Sequence, residues 1–426
     1  MTGRARVRFV PTRREWLRLV GAGAAGLAIG CADSLGSPDA AAAVLEPTTD
    51  GFVVAVWARH ATTVTVVLRA GALLSLEPIP LAAGGSGAIE VTGLAAGTPY
   101  EILVRTADGI LLGPHRVRTS PADDDRRAVR LAVAADVDPN PEFETDLVEH
   151  VVAADPDLLV SLGDFPYTDN GPPAFDLAAY RERHVEVRTL PRIRTLLSAM
   201  PVRAIYDDHE FRNDWDASFV TTESARYAAA MTAWDEFFPL HEPRGEIRYR
   251  SWRMGANVEC FLLDCRRFRS ANAALDDAAK TMLGETQRQW FLDGIAASTA
   301  PFKLVFTSVP LDFAVGVDAW TGFRTERQQL FDALVGIPGI LFVSADQHYF
   351  AAYRHAFGIR EIQIGPLARG LGIPPVGPGV LFTAARYNVG LLDVTGDRLA
   401  ITGLGAGGDR FYEETLGPEE LTPRRT

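Results

Sequence analysis

The stretch Asp157-Leu158-Leu159-Val160-Ser161-Leu162-Gly163-Asp164 is an apolar run that stops on an acid. It is short and bounded by turn-forming residues, so it reads as a buried strand rather than a helix. Three more runs end the same way. Residues 129–135 lead into Asp136-Val137-Asp138, residues 201–206 into Asp207-Asp208-His209-Glu210, and residues 339–345 into Asp346-Gln347-His348. Fully apolar strands belong inside sheets covered by helices on both faces, where ligand sites gather at the carboxyl ends of the strands. The four ends would bring five or six carboxylates and two histidines together. A single acid after a strand is commonly a helix N-cap. Capping does not account for four such ends, two of them carrying histidine. Crowded carboxylates repel and raise one another's pKa. Hard or borderline cations relieve that conflict, and oxygen-rich sets with one or two imidazoles suit them.

The rest of the chain frames these runs. It has 426 residues, 47% hydrophobic and 23% charged, which is a globular composition of two or three domains. The formal net charge of −12 argues against a nucleic-acid scaffold or an anionic membrane as bulk partner. A phosphate ester remains open if bound cations reverse the local sign. Residues 44–120 are β-rich: Phe52–Trp57 and Thr63–Leu68 are dense in valine, the second with clear period-2 alternation, and Gly84-Gly85 and Gly93–Gly97 read as turns. After a polar linker at residues 121–127, apolar strands alternate with helical segments through residues 128–415, an α/β layered pattern. Of the three cysteines, Cys260 and Cys265 would lie roughly 16 Å apart along a strand on opposite faces, so no disulfide is expected between them.

The amino terminus carries a targeting pattern. Thr12-Arg13-Arg14-Glu15-Trp16-Leu17-Arg18 resembles the twin-arginine export motif, and the apolar run at residues 19–30 is too short to span a bilayer. Residues 1–30 are therefore expected to be a signal peptide, and the twin-arginine export machinery a partner. Leu27-Ala28-Ile29-Gly30-Cys31 looks like a lipoprotein site in which Ala28 stands where leucine is usual; lipidation at Cys31 and plain cleavage near Ala43 both stay open. The product is expected in the periplasm, outside the cell or lipid-anchored at its surface.

The order Asp-x-Asp, Gly-Asp, Asp-His-Glu and Asp-x-His resembles the calcineurin-like metallophosphoesterases. More narrowly it is similar to the PhoD-type alkaline phosphatases and phosphodiesterases, through Leu162-Gly163-Asp164-Phe165-Pro166-Tyr167, the segment Tyr206 to Trp215, Phe261-Leu262-Leu263-Asp264-Cys265-Arg266, Leu283 to Trp290 and Ser344 to Tyr349. The resemblance covers roughly residues 40–410. It implies an α/β layered sandwich of mixed sheets flanked by helices, preceded by a fibronectin type III-like β-sandwich. Gly93 to Tyr100 resembles the turn of such sandwiches, in which a tyrosine anchors a corner.

The resemblance also implies roles. Asp164 would bridge two metal ions; Asp136, Tyr167 and His348 would complete one site, and Asp208 and Asp346 would hold the second. Fe3+ with a phenolate ligand and Ca2+ are the ions of the PhoD type. Asp138 departs from that pattern, which has a thiolate or imidazole nearby, and a carboxylate there shifts the expectation toward Ca2+, Mn2+ or Mg2+. His209 would steady charge on the phosphoryl oxygens or protonate the leaving group while a metal-bound hydroxide attacks. Asn213 is read as binding the substrate phosphate or a metal. Arg266 is read as a phosphate clamp or as the ion-pair partner of Asp264. The substrate class is a phosphate mono- or diester, and the protein is expected to be a monomer.

Two other readings compete. Asp136-x-Asp138 also resembles the nucleophile loop of haloacid-dehalogenase phosphatases, which expects a later lysine. Lys303 stands at a strand start, and that reading leaves Asp208-His209-Glu210 and Asp346-x-His348 unused. A non-enzymatic cell-surface binding protein is the third class.

Overall fold

The structure is a computed structural model that describes residues 3–8, 39–70, 72–242, 245–314 and 316–425. Most of the expected signal peptide, and Cys31 with it, lies outside the described residues; Gly3–Arg8 is described and forms a strand. The chain divides into two compact units. Among the described residues, no helix is long and apolar enough to cross a membrane.

The first unit draws on Met1–Ala122, Arg188–Arg203 and Trp234–Pro243. Ala40–Leu45, Gly51–Ala58 and Gly85–Thr92 form antiparallel neighbours, with Gly3–Arg8 parallel to the last. A second sheet joins Ala72–Ser75, Thr62–Ala70, Pro99–Thr106 and Leu111–Arg118, with Ile79–Leu81 also on Thr62–Ala70. Alternate residues meet between the sheets: Phe52, Val54 and Val56 from one, Val64, Val66 and Leu68 from the other. This is the packing that period 2 dictates when one face is buried. Gly51–Ala58 is buried at every position, because Arg188, Glu236 and Phe237 of the same unit lie against Ala55, Val56 and Trp57. Tyr100 is buried, and its Oη accepts from the Ala95 N–H at 3.1 Å.

The second unit comprises Asp123–Val187, Ala204–Ala233 and Arg244–Thr426. In its first sheet Leu158–Ser161 runs parallel to Val129–Ala134, which pairs antiparallel with Asn388–Thr395; Arg398–Gly405 and Arg410–Leu416 follow. In its second sheet Val258–Leu262, Phe302–Phe306, Ile340–Ser344 and Arg360–Gln363 are parallel in that order, with Arg250–Arg253 antiparallel at one edge and Phe350–Arg354 and Val380–Ala384 at the other. The sheets face each other through Leu131, Val133, Leu158 and Val160 on one side and Cys260, Leu304, Leu341 and Ile362 on the other. Helices Gly284–Ala297 and Arg324–Leu334 cover the far face of the second sheet through Phe291, Ile295, Leu330 and Leu334, which pack on Phe261, Val305 and Phe342. The fold is thus mixed α/β. The buried runs were expected between two helical layers; for these sheets one of the covering layers is the other sheet. Apolar strands need two apolar faces to meet, and a second sheet supplies one as well as a helix does.

Parallel neighbours send their carboxyl ends to one edge. Val129–Ala134 and Leu158–Ser161 end together, and the Ile205 N–H donates to Ser161 O at 3.0 Å, which brings the third acidic end alongside. Cys260 and Cys265 are both buried and are not joined to each other.

Candidate metal centre

The strand ends turn sharply. Asp136, Asp164, Asp346 and His348 have φ of 60°, 55°, 77° and 58°, the left-handed region that non-glycine residues seldom occupy. Aspartate and histidine tolerate it better than branched residues, and such local strain clusters at functional sites. Two glycines make room. A Cβ at Gly163 (φ +103°) would stand 2.4 Å from Asp207 N, and one at Gly365 (φ +95°) would stand 2.1 Å from Asp136 Oδ2.

These turns aim carboxylates inward. Asp136, Asp164 and His348 offer ligand atoms within 4.8 Å of one another, as do Asp164, Asp208 and His209, then Asp207, Asp208 and Asp346, then Asp208, Asp214 and Asp318. Asp164 links the first two groups and Asp208 the last three. Among the described residues of these groups, four buried carboxylate oxygens accept no hydrogen bond: both of Asp136, Asp164 Oδ2 and Asp208 Oδ1. Buried acceptors are rarely left so, and an unpaired buried carboxylate costs several kcal/mol. The oxygens therefore fit cations, and Asp136, Asp164 and Asp208, with Asp346 and His348 grouped beside them, are the residues that would hold them.

The electrostatics agree. Burial, and then the neighbouring carboxylates, hold Asp136, Asp164 and Asp346 well above the usual carboxylate range. Burial also raises Asp208, but Arg266 and His209 outweigh it, and the net shift is downward. Burial disfavours charge on His209, yet Asp208, Asp169 and Asp207 together lift it to about 9. Burial, helped by Arg369, brings His348 down to about 4, so the ring is neutral and able to ligate. Burial and Asp164 push the Tyr167 phenol well up. Its Oη lies 2.8 Å from His348 Nε2, and its ring is 4.2 Å from the His209 ring.

His209 is held from behind. Its Nδ1 is 2.6 Å from Asp169 Oδ1, and Asp169 Oδ2 accepts from the Asn213 N–H at 2.7 Å. The Asn213 side chain is exposed at this rim. Glu210 is buried and accepts from the N–H groups of Phe165 and Asp207, stapling two strand ends.

Two expected roles do not survive. Arg266 is fully buried, with Nε and Nη2 on the two oxygens of Asp207 at 2.8 and 2.7 Å and Nη2 3.2 Å from Asp318. Its fork is occupied, so it cannot clamp a phosphate; its partner is Asp207, while Asp264 instead accepts from Tyr206 Oη at 2.5 Å. Asp138 turns away from the metal groups. Its Oδ1 accepts from the Asn140 N–H at 2.9 Å and its Oδ2 meets Asn170 and Arg369. Asp169, Asp207, Asp214, Asp318 and Arg369 were not singled out from sequence. The Asp207-Asp208 doublet and Asp214 lie in the Tyr206 to Trp215 segment and so carried a signal; Asp169, Asp318 and Arg369 sit in loops with no pattern around them.

A solved structure of PhoD superposes with a TM-score of 0.80 at 18% identity, covering 93% of each chain. The purple acid phosphatase PPD1 from yellow lupin gives a TM-score of 0.65 at 12% identity, over 89% of this chain and 75% of that one. These likenesses show that the chain shares its fold with both. Alkaline phosphatase D of Bacillus subtilis (strain 168) is 24% identical over 247 residues, 47% of this chain, and the chain spans 42% of that relative's length. Residues 139–367 match the family described as PhoD-like phosphatase, and the chain belongs to it. The haloacid-dehalogenase reading of Asp136 falls with that membership, and Lys303 Nζ is committed to Ala300 O at 2.6 Å.

Proposed function

We propose that this protein is an exported, metal-dependent phosphoesterase that hydrolyses phosphate mono- or diesters. The observation that carries the reading is the set of four unpartnered, buried carboxylate oxygens beside a histidine held by a second acid. Asp136, Asp164, Tyr167 and His348 would hold one cation, and Asp208 and Asp346, with Asp164 between, would hold another. Bound cations would supply an activated water and positive charge against the phosphoryl oxygens. A phenol in the first group supports Fe3+, and the carboxylate-only second group supports Ca2+, with Mn2+ or Mg2+ as the other oxygen-loving choices.

The chain's own groups do the proton work. Asp169 holds the His209 ring through Nδ1, so that Nε2 is left to face the leaving-group oxygen. Asn213 stands at the open rim, where it can orient the ester. The twin-arginine-like segment Thr12 to Arg18 supports export. The Tyr100–Ala95 hydrogen bond at the corner of the first unit supports a fibronectin type III-like sandwich over residues 44–120.

The test is hydrolysis of p-nitrophenyl phosphate and of its bis ester, before and after chelation and with metal analysis. Activity should vanish on chelation and return with metal. His209→Ala should keep its metal and lose on the order of 10²–10⁴ in rate. Activity that survives complete metal removal would sink the reading.

A further inference from the structure

Arg369 is placed by backbone pairing at the end of the first acidic strand. Leu367 N donates to Ala135 O at 3.0 Å, Ala368 N to Asp136 O at 3.0 Å, and Asp138 N to Ala368 O at 2.8 Å. Three residues on, Gly372 N donates to His348 O at 2.9 Å, and a Cβ at Gly372 would stand 2.1 Å from Gln347 O. The loop that bears Arg369 is thus tied to the backbone beside two candidate metal-holding residues. Its guanidinium lies over the rings of Tyr167 and Phe143, at 4.7 and 5.3 Å.

The polar contacts of this guanidinium are slack. One Nη is 3.5 Å from Asp138 Oδ2, the other 3.5 Å from Asn170 Oδ1, and Nε is buried with no acceptor. A committed arginine–carboxylate pair closes to about 2.7–2.9 Å, as Arg266 does on Asp207. The side chain is also 25% exposed, against 0% for Arg266. Arg266 is spent inside the protein; Arg369 is held flat, charged and open to solvent.

We infer that Arg369 binds the phosphoryl oxygens of the ester substrate and of the phosphate product at the mouth of the acidic centre. The planar fork matches two phosphoryl oxygens, and stacking on two rings orients it in advance. The inference rests on the phosphoesterase reading above.

The test compares metal-replete wild type with Arg369→Ala and Arg369→Lys. It reads metal content, p-nitrophenyl phosphate kinetics, and binding of inorganic phosphate by titration calorimetry. Arg369→Ala should keep its metal, raise KM and weaken phosphate binding by on the order of 10- to 100-fold. Lys restores the charge without the fork, so it should recover only part of that loss. An active wild type whose Ala variant keeps its KM and phosphate affinity overturns the inference. So does a pair of variants that lose metal along with phosphate binding, since Arg369 would then serve only to hold Tyr167 and the metal group in place. A wild type that neither hydrolyses the ester nor binds phosphate brings down the phosphoesterase reading itself.

Discussion

Arg266 is the residue on which the acidic centre balances. It has no exposed surface, and it faces Asp207 at 2.7 Å, Asp318 at 3.2 Å and Asp208 at 3.4 Å. Breaking a buried ion pair from one side strands the other charges, at about 3–5 kcal/mol. Arg266→Met is therefore expected to lose about that much stability, measured by urea unfolding of metal-free protein. A change of less than ~1 kcal/mol would refute the balancing role. Chain spacing could not pick this partner out. Asp264 is two residues away, yet the Asp264 Oδ1 faces the N–H groups of Arg266 and Arg267 while the guanidinium reaches back to Asp207. Asp138 failed as a ligand for a related reason: two residues past Asp136, its carboxylate closes a local turn on Asn140.

At the scale of elements, the strand-end turns do the positioning. Apolar runs with acids after them were legible because each is contiguous in the chain. How closely two ends pack was not. Gly365 shows why: its N–H donates to Asn388 Oδ1 at 3.0 Å, and its missing Cβ leaves the place where Asp136 Oδ2 lies. Gly365→Ala would strain a φ of +95° and push on the carboxylate from 2.1 Å. The expected outcome is a native circular-dichroism spectrum with metal affinity lowered on the order of 10- to 100-fold, as when the support behind a ligand is lost. Unchanged metal affinity in the folded variant would contradict that account.

At the scale of the molecule, pH should act on the first unit through His115. Burial brings this ring down to about 4, and its Nδ1 lies 3.3 Å from Leu197 O. The unfolded chain binds the proton near pH 6.5 and the folded one near pH 4, so the neutral ring's contribution is whole above 6.5. It is lost as pH falls through that window, by about 3 kcal/mol in total. Denaturant unfolding at pH 7 and pH 4 should show wild type losing about that much more than His115→Gln. Equal losses in the two proteins would rule out His115 as the source.

The sequence by itself determined the strands, their acidic ends and the order of motifs that marks the family, since these depend on neighbours along the chain. It also pointed to Asp136, Asp164, Asp208, Asp346 and His348 as strand-end groups; that the ends from two facing sheets lie close enough to share cations was a matter of tertiary packing. Only the tertiary structure decided which arginine is buried and which stands open, that Asp169 holds His209, and that Asp318 joins the acidic group. Those choices join residues 40 to more than 100 positions apart, and a charge takes its partner by distance in space rather than along the chain.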